Sequence, residues 1–190
     1  MKKGLHIGAG PVHLDSDSYL EWENSDGAAL SDTESSRSWN IEKVRDFTQP
    51  FDDILDNTVD YIVFWHCVEH LGLSEKDPVL KEFLRMLKPG GKLFIACPDV
   101  SKIAKHIVDR DGPWQDWFIC MVNIFGPYNG YIGDFHRWGY NEEELKGLVI
   151  SLGFSQANTL TPQMLYQEIG TGNGSKMGFA DYNIQLEAIK

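Results

Sequence analysis

The sequence is short of basic residues and of long apolar runs. Its 17 lysines and arginines are outnumbered by 28 aspartates and glutamates, and the formal net charge is −11. A protein that binds nucleic acid needs clustered cations to displace counterions from the phosphates, so we expect no nucleic-acid partner. No apolar run approaches the length that crosses a bilayer, so we expect no membrane partner either.

Cysteine is also scarce. The three cysteines, Cys67, Cys97 and Cys120, are an odd number at irregular spacing, which predicts no disulfide framework and suits a reducing compartment. The first apolar run is interrupted by a glycine-rich turn at Gly8, unlike the uninterrupted core of a signal peptide. We therefore expect a cytoplasmic protein.

What the sequence does contain is a regular succession of strand and helix patterns. The 190 residues fit a single domain, and 42% of them are hydrophobic. We predict strands at Leu5–Ile7, 19–26, Val59–Trp65, Lys92–Cys97 and Asp181–Ile189, and helices after a Ser74 capping box and at Val100–Asp109, Trp114–Phe125 and 141–152. This order predicts an α/β fold, with a mostly parallel sheet and helices on both faces.

The segment W-H-C-V-E-H-L, at residues 65–71, allows two interpretations. His66, Glu69 and His70 spell H-x-x-E-H, the inverted zinc-peptidase motif. The two histidines share a metal only when they lie one helical turn apart, and the strongest predicted strand runs directly into His66. We therefore reject the zinc peptidase, expect no metal, and interpret the segment as a junction between a strand and a loop.

Small and acidic residues follow the predicted strands. In parallel sheets, ligands lie beyond the carboxyl ends of the strands, where strand order reverses. Glycine lets backbone approach a ligand, and a carboxylate accepts hydrogen bonds from ribose hydroxyls or an adenine amino group. Each signal alone is also typical of an ordinary turn, but their order predicts a nucleoside pocket. The residues are Gly8-Ala9-Gly10, Asp26, Asp46, His66 to His70, and Pro98-Asp99.

The chain resembles the class I S-adenosylmethionine-dependent methyltransferases in four segments: L-H-I-G-A-G-P-V-H-L, W-E-N-S-D, V-D-Y-I-V-F-W-H-C-V-E-H-L and L-K-E-F-L-R-M-L-K-P-G-G-K-L-F-I-A-C-P-D. The resemblance covers residues 4–105 well and residues 136–154 moderately. It implies a Rossmann-like methyltransferase fold with S-adenosyl-L-methionine as cofactor. Residues 1–110 would form the cofactor-binding half, and residues 111–190 the acceptor side with a lid loop and the final strands.

The resemblance also implies roles for individual residues. Asp26 would hold the ribose, Asp46 the adenine edge, and His66 would lie beside the sulfonium. The full cofactor-binding set is then Gly8, Ala9, Gly10, Pro11, Asp26, Asp46, His66 and Cys67. The chain departs from the family in lacking a third glycine, in having His6 where an acidic residue is frequent, and in the short Pro11–Ser18 stretch where a first helix belongs.

The acceptor side is an aromatic, glycine-rich segment at residues 126–139. It is either a lid over a small polar acceptor, such as a sugar or metabolite, or an ordinary loop packed on the sheet. His66 is the candidate general base for a hydroxyl or amine acceptor, and Glu69 and His70 are expected to shape the loop. The candidate substrate-binding residues are Asp99, Tyr128, His136 and Arg137.

Two other functional classes fit the same fold. A dinucleotide-dependent oxidoreductase is disfavoured by the incomplete glycine fingerprint and the short first helix. A non-catalytic Rossmann-like binding protein is favoured by those same departures and by His6. A chain of this size with an exposed aromatic loop is also a candidate for homodimer formation.

Overall fold

The structure is a computed structural model that describes residues 1–26, 41–109, 114–127, 132–178 and 180–190. The strands in this part of the chain are β1 (Lys2–Ile7), β2 (Leu20–Asp26), β3 (Lys43–Val44), β4 (Val59–Trp65), β5 (Leu87–Pro98), β6 (Gln156–Thr159) and β7 (Asn183–Ile189). The helices are α1 (Lys76–Met86), α2 (Val100–Asp109), α3 (Trp114–Phe125), α4 (Glu142–Leu152), α5 (Pro162–Ile169) and α6 (Thr171–Gly174). Short 3-10 turns lie at Val68–His70 and Ile132–Asp134.

The seven strands form one sheet in the order β3-β2-β1-β4-β5-β7-β6. The strands from β3 to β5 pair in parallel, whereas β7 runs antiparallel to both β5 and β6. Strand order reverses at β1, which has β2 on one side and β4 on the other. The predicted α/β fold with a mostly parallel sheet is confirmed, and the expected ligand crevice lies beyond the carboxyl ends of β1 and β4.

Alternate residues of β4 enter two different hydrophobic clusters. Ile62 and Phe64 belong to the cluster that α1 and α4 cover, while Tyr61 and Val63 belong to the cluster that α5 covers. Side chains alternate between the two faces of a strand, so the sheet carries a core on each face, as predicted. Each fully buried side chain of this size contributes about 1.5–3 kcal/mol to stability.

The connection from β1 to β2 has no helix. Residues 8–19 form turns and extended backbone, in agreement with the short Pro11–Ser18 stretch. The side-chain amide of Asn24, on β2, instead pairs with the backbone of Leu14 in both directions, at 2.8 and 3.0 Å. These hydrogen bonds fix the connection against β2 in place of helix packing.

The helix predicted to begin with a Ser74 capping box begins later. Glu75 is the N-cap residue of α1, and no side chain caps that helix. The Glu75 carboxylate instead accepts a hydrogen bond from the amide of Gly72 at 2.7 Å. The capping-box prediction was therefore wrong, because Ser74 lies inside a turn in which the amides of Glu75 and Lys76 donate to the carbonyl of Gly72, at 2.9 and 3.3 Å.

The other boundaries show both agreement and error. The predicted cap of α4 is confirmed, since the side chain of Asn141 accepts from the amide of Glu144 at 2.9 Å. Strand β5 begins at Leu87, five residues before the predicted Lys92, because Leu87 pairs with Val59. Strand β6 and helices α5 and α6 were not predicted.

Among the described residues, no helix is long and apolar enough to span a bilayer.

Candidate functional site

The glycine turn after β1 is bound to the end of β2. Gly8 and Gly10 have φ angles of 72° and 53°, in the left-handed region that glycine adopts without strain. The amides of Gly8 and Ala9 both donate to the carbonyl of Ser25, at 2.9 and 3.0 Å. The amide of Gly10 donates to Oδ2 of Asp26 at 2.7 Å. The turn and the Asp26 carboxylate therefore form one unit at the switch point of the sheet.

The same turn packs against the loop after β4. A Cβ atom built on Gly8 would lie 2.2 Å from Sγ of Cys67, so no side chain fits at that position. Cys67 is buried, and burial raises the pKa of its thiol well above the ordinary value, with the charges of Glu69 and Asp26 acting in the same direction. Cys67 is therefore a neutral packing residue, and its thiol is not available as a nucleophile at neutral pH.

The two candidate carboxylates lie at or just after the ends of neighbouring strands, β2 and β3, but in different environments. Asp26, at the end of β2, is only 8% exposed. Asp46 is exposed, and its carboxylate accepts from the amide and hydroxyl of Thr48, at 2.9 and 2.7 Å. The amide of Arg45 donates to the carbonyl of Asp26 at 3.1 Å, so both acids lie at the carboxyl edge of the sheet. Their roles with ribose and adenine stay predictions.

His66 has an unusual backbone conformation. Its φ angle is 54°, in the left-handed region, which costs a non-glycine residue roughly 1–2 kcal/mol. Its amide still donates to the carbonyl of Ala96 at 2.9 Å, which continues the pairing of β4 with β5. Strain of this kind persists only where surrounding structure holds it, and it concentrates at functional sites. No residue pattern around His66 indicates this strain.

The imidazole of His66 lies between two partners. Nδ1 is 3.3 Å from Oε1 of Glu69, and Nε2 is 3.0 Å from Nδ2 of Asn183. An ionised Glu69 only accepts, so Nδ1 carries the proton and the Nε2 lone pair receives the Asn183 amide. The side chain of His66 is 40% exposed. Asn183, at the start of β7, was missed because it lies 117 residues further along the chain.

The charge of Glu69 acts on the pKa values of several groups in the site. Glu69 is 2% exposed, and its charge acts on several buried neighbours. Burial raises the pKa of Cys97 and of Tyr140, and the negative charge of Glu69 acts in the same direction on both. Burial lowers the pKa of His136, and Glu69 partly opposes that shift. A single buried carboxylate thus influences groups from β5 and from the segment between α3 and α4.

His6 occupies the position on β1 where an acidic residue is frequent in the family that the chain resembles. It is buried, and its Nδ1 lies 3.3 Å from Oδ1 of Asn24. Burial lowers its pKa from 6.5 to about 4, the hydrogen bond to Asn24 opposes the shift, and the charge of His13 adds to it. A neutral imidazole therefore replaces a negative charge at this position near neutral pH.

The acceptor-side candidates have described contacts of their own. The carboxylate of Asp99 accepts from the amides of Ser101 and Lys102, at 3.0 and 3.3 Å, and so caps α2. The Arg137 guanidinium donates to Glu75 at 2.7 Å. Both side chains have structural partners, and their acceptor-binding roles stay predictions.

The segment that carries His136 and Arg137 is joined directly to the β4 loop. The amides of Arg137 and Trp138 donate to the carbonyl of Glu69, at 2.7 and 3.1 Å. His136 is half-buried, and its Nδ1 lies 2.8 Å from the carbonyl of Asn123. The structure therefore brings His136 and Arg137 to the site of His66 and Glu69. Tyr128 lies outside the described residues.

The arrangement fits S-adenosylmethionine. The positive-φ turn at Gly8–Gly10 brings backbone to the edge of the crevice, and Asp26 supplies an acceptor at the end of the neighbouring strand. His66 follows β4, on the other side of β1 from Asp26, and keeps part of its surface exposed. Backbone, carboxylate and imidazole thus border one switch point, where such sheets bind nucleotides.

The comparisons with known proteins agree with this geometry. A family model described as "Methyltransferase domain" matches residues 13–156. A crystal structure of a SAM dependent methyltransferase from Archaeoglobus fulgidus matches with a TM-score of 0.62 at 16% identity, covering 100% of this chain and 86% of that one. A possible histamine N-methyltransferase from Thermotoga maritima matches with a TM-score of 0.55 at 14% identity, covering 100% and 83%.

A curated relative is the ubiquinone/menaquinone biosynthesis C-methyltransferase of Chromobacterium violaceum. It is 30% identical over an alignment of 95 positions. The alignment covers 45% of this chain and 36% of the relative. The chain thus spans little more than a third of that relative's length. The family model, in contrast, covers well over half of the chain and includes β2, β4, β5 and the His66 loop. The chain therefore belongs to the methyltransferase domain family, for which S-adenosylmethionine is the implied cofactor.

Proposed function

We propose that the protein transfers a methyl group from S-adenosyl-L-methionine to a small polar acceptor, such as a sugar or another metabolite. The observation that carries this proposal is the strained and partly exposed His66, held between Glu69 and Asn183 beyond the end of β4. Family membership supports the reaction class. The acceptor class is supported by the polar side chains around His66.

The cofactor, when bound, supplies a methyl group attached to a sulfonium. The Gly8–Gly10 turn, together with Pro11 that follows it in the chain, would hold the methionine part through its backbone. Asp26 would accept from the ribose hydroxyls, and Asp46 from the adenine amino group. Cys67 packs behind the turn and keeps it close to β4. Residues 1–110 would thus serve the cofactor, and residues 111–190 the acceptor.

His66 would act as general base for a hydroxyl or amine acceptor. Its Nε2 carries the available lone pair, so the acceptor must replace the amide of Asn183 at that nitrogen. As Nε2 takes the proton, the ring becomes cationic and the Glu69 carboxylate beside Nδ1 stabilises it. Glu69 and Asn183 are therefore positioning residues, and alignment of the acceptor supplies much of the remaining acceleration.

We propose that His136 and Arg137 contact the acceptor, because their segment is hydrogen-bonded to Glu69. Asp99 and Tyr128 complete the proposed acceptor-binding set. A homodimer is also proposed. Exposed apolar side chains on α3, among them Trp117, Phe118 and Phe125, offer an apolar surface for it.

A binding protein without turnover is the second candidate. The absence of a helix in residues 8–19 favours it, since the usual first helix packs behind the glycine turn. The two functions differ in whether a methyl group is transferred.

Incubation with S-adenosylmethionine carrying a labelled methyl group tests the proposal. The purified protein is offered a panel of sugars, sugar amines and small hydroxylated metabolites, and the products are examined by mass spectrometry. Label in an acceptor from wild type, and much slower labelling by a His66→Asn variant, supports the transferase. Cofactor binding with no labelled product across the panel supports the binding protein instead.

A further inference from the structure

Three side chains near His66 bring atoms that can bind a metal ion close together. A carboxylate oxygen of Glu69 and one ring nitrogen each of His70 and His136 all lie within 4.8 Å of one another. His66, although part of the H-x-x-E-H sequence, is not a member of this group. The cluster therefore differs from the H-x-x-E-H motif. It contains His136, from a distant segment of the chain, in place of His66.

Both imidazoles have a tautomer that leaves Nε2 able to bind a metal ion. Nδ1 of His70 lies 3.1 Å from the carbonyl of Phe135, and Nδ1 of His136 lies 2.8 Å from the carbonyl of Asn123. A carbonyl only accepts, so in each ring Nδ1 carries the hydrogen and Nε2 keeps a lone pair in the neutral form. A backbone carbonyl on the opposite nitrogen is the usual outer contact of a histidine that ligates a metal.

Glu69 provides an independent indication. Its Oε1 faces His66, but its Oε2 is buried and has no hydrogen-bond partner among the described residues. A buried carboxylate oxygen without a partner is costly, and native structures rarely leave one. A cation beside Glu69 would satisfy Oε2 without disturbing the contact with His66.

The scaffold already holds the three residues together. The carbonyl of Glu69 accepts from the amides of Arg137 and Trp138, at 2.7 and 3.1 Å. The rings of His70 and His136 meet edge to face, with centroids 4.8 Å apart. The 3-10 turn after β4 and the segment before α4 are thus fixed to each other, so the three side chains are held close together.

We propose that Glu69, His70 and His136 form a binding site for a divalent transition-metal ion of the Zn²⁺ type. Two imidazoles and one carboxylate are a ligand set that suits zinc. Neighbouring ligands of a tetrahedral zinc lie about 3.4 Å apart, so ligand atoms within 4.8 Å of one another need to approach by up to about 1.4 Å. Three protein ligands leave one position for water or for an oxygen or nitrogen of a small molecule.

Calorimetric titration with Zn²⁺ alone tests the site, after dialysis of the protein against a chelator. Wild type is expected to bind one equivalent, and His70→Ala and His136→Ala are each expected to weaken binding at least about 100-fold. His66→Ala should weaken binding far less than His70→Ala, because His66 contacts Oε1 of Glu69 and is not itself a ligand. His106→Ala is the matched histidine control and should bind as wild type does. His106 lies on α2, outside the cluster.

Two results would overturn the proposal. One is a wild type that binds zinc no more tightly than His136→Ala. The other is a His66→Ala variant that loses as much affinity as His70→Ala, which places the ion on the H-x-x-E-H pair. Thermal unfolding with and without Zn²⁺ shows whether the variants fold, and added zinc should raise the midpoint of wild type and of His66→Ala but not of His136→Ala.

Discussion

Nδ1 of His66 lies 3.3 Å from Oε1 of Glu69, which joins a strained, partly exposed imidazole to a deeply buried carboxylate. His66 precedes the 3-10 turn at Val68–His70 that contains Glu69, so the H-x-x-E-H residues do not lie on the α-helix that a zinc peptidase needs. This pair joins the exposed part of the site to its buried carboxylate. Its geometry makes His66 the most direct target for mutation.

The first prediction concerns His66→Asn. Asparagine tolerates the left-handed backbone better than most residues, so the fold should be kept and the melting midpoint should change little. Loss of the base should slow methyl transfer to a hydroxyl or amine acceptor by roughly 100-fold to 10,000-fold. Single-turnover rates measure the effect, with His106→Asn as the control that keeps the wild-type rate. An unchanged rate in His66→Asn would assign His66 to packing alone.

The second prediction concerns Asp26→Asn. The asparagine oxygen still accepts from the amide of Gly10, so the turn should be kept, but the negative charge that favours the ribose hydroxyls is lost. Hydrogen bonds to a charged group contribute about 1.5–3 kcal/mol, so the affinity for S-adenosylhomocysteine should fall roughly 10-fold to 100-fold. Calorimetry measures it, and Asp52→Asn, at an exposed position, is the control. Equal affinities for the two variants would remove Asp26 from the pocket.

The third prediction concerns Gly8→Ala. Gly8 and Gly90 have similar φ angles, 72° and 77°, but only Gly8 has an atom close to the position of a Cβ, which is Sγ of Cys67. Gly90→Ala should cost about 1–2 kcal/mol for its backbone alone. Gly8→Ala should cost about 1–3 kcal/mol more, because the close contact forces the loop after β4 to move.

A double variant separates the two causes of that cost. Cys67→Ala removes Sγ and leaves a Cβ contact of 3.5 Å, an ordinary distance. Gly8→Ala should therefore be less destabilising on the Cys67→Ala background than on wild type, by an amount that urea unfolding resolves. Additive effects in the two variants would show that the contact between the turn and Cys67 carries no strain.

The fourth prediction concerns the pH dependence of stability through His6. Its pKa is about 4 in the folded protein, against an ordinary value of 6.5 that the unfolded chain keeps, so the unfolded chain takes up the proton first as pH falls. The stability that the fold gains from a neutral His6 is fully present above pH 6.5. It is lost as pH falls towards 4, by up to about 3 kcal/mol.

A variant isolates the contribution of His6 from that of other groups. His6→Gln keeps an N–H for Asn24 and has no titration in this range, so the difference in stability between it and wild type should shift in its favour as pH falls from about 7 to about 5. Urea unfolding at several pH values measures this difference. A difference that stays constant with pH would show that His6 takes up its proton alike in the folded and unfolded protein, and so that burial does not lower its pKa.

The elements whose patterns are local were predictable from the sequence. Strand β4 is β-branched and aromatic nearly throughout, and the cap at Asn141 depends on a residue only three positions away. The Ser74 cap was wrong because Ser74 lies inside a turn closed on the carbonyl of Gly72, and residue spacing alone does not reveal that turn. The early start of β5 depends on pairing with Val59, a contact between distant parts of the chain.

The site was predictable to the extent that it follows the ends of strands. The positions of Gly8, Asp26 and His66 at one edge were predictable because a parallel sheet brings the carboxyl ends of its strands together. Asn183 and the partnership of Glu69 with His136 were not found, since they join segments that are far apart in the chain. The strained backbone of His66 has no counterpart in residue type, because strain arises from the packing around it.

The central claim is that the switch point between β1 and β4 binds S-adenosylmethionine. It is tested most directly by calorimetric titration of the wild-type protein with S-adenosylmethionine and S-adenosylhomocysteine, with NAD as the comparison. We predict that both sulfur compounds bind to one site per chain, that Asp26→Asn weakens both, and that NAD does not bind. No heat of binding from either sulfur compound, or tighter binding of NAD, would contradict the claim.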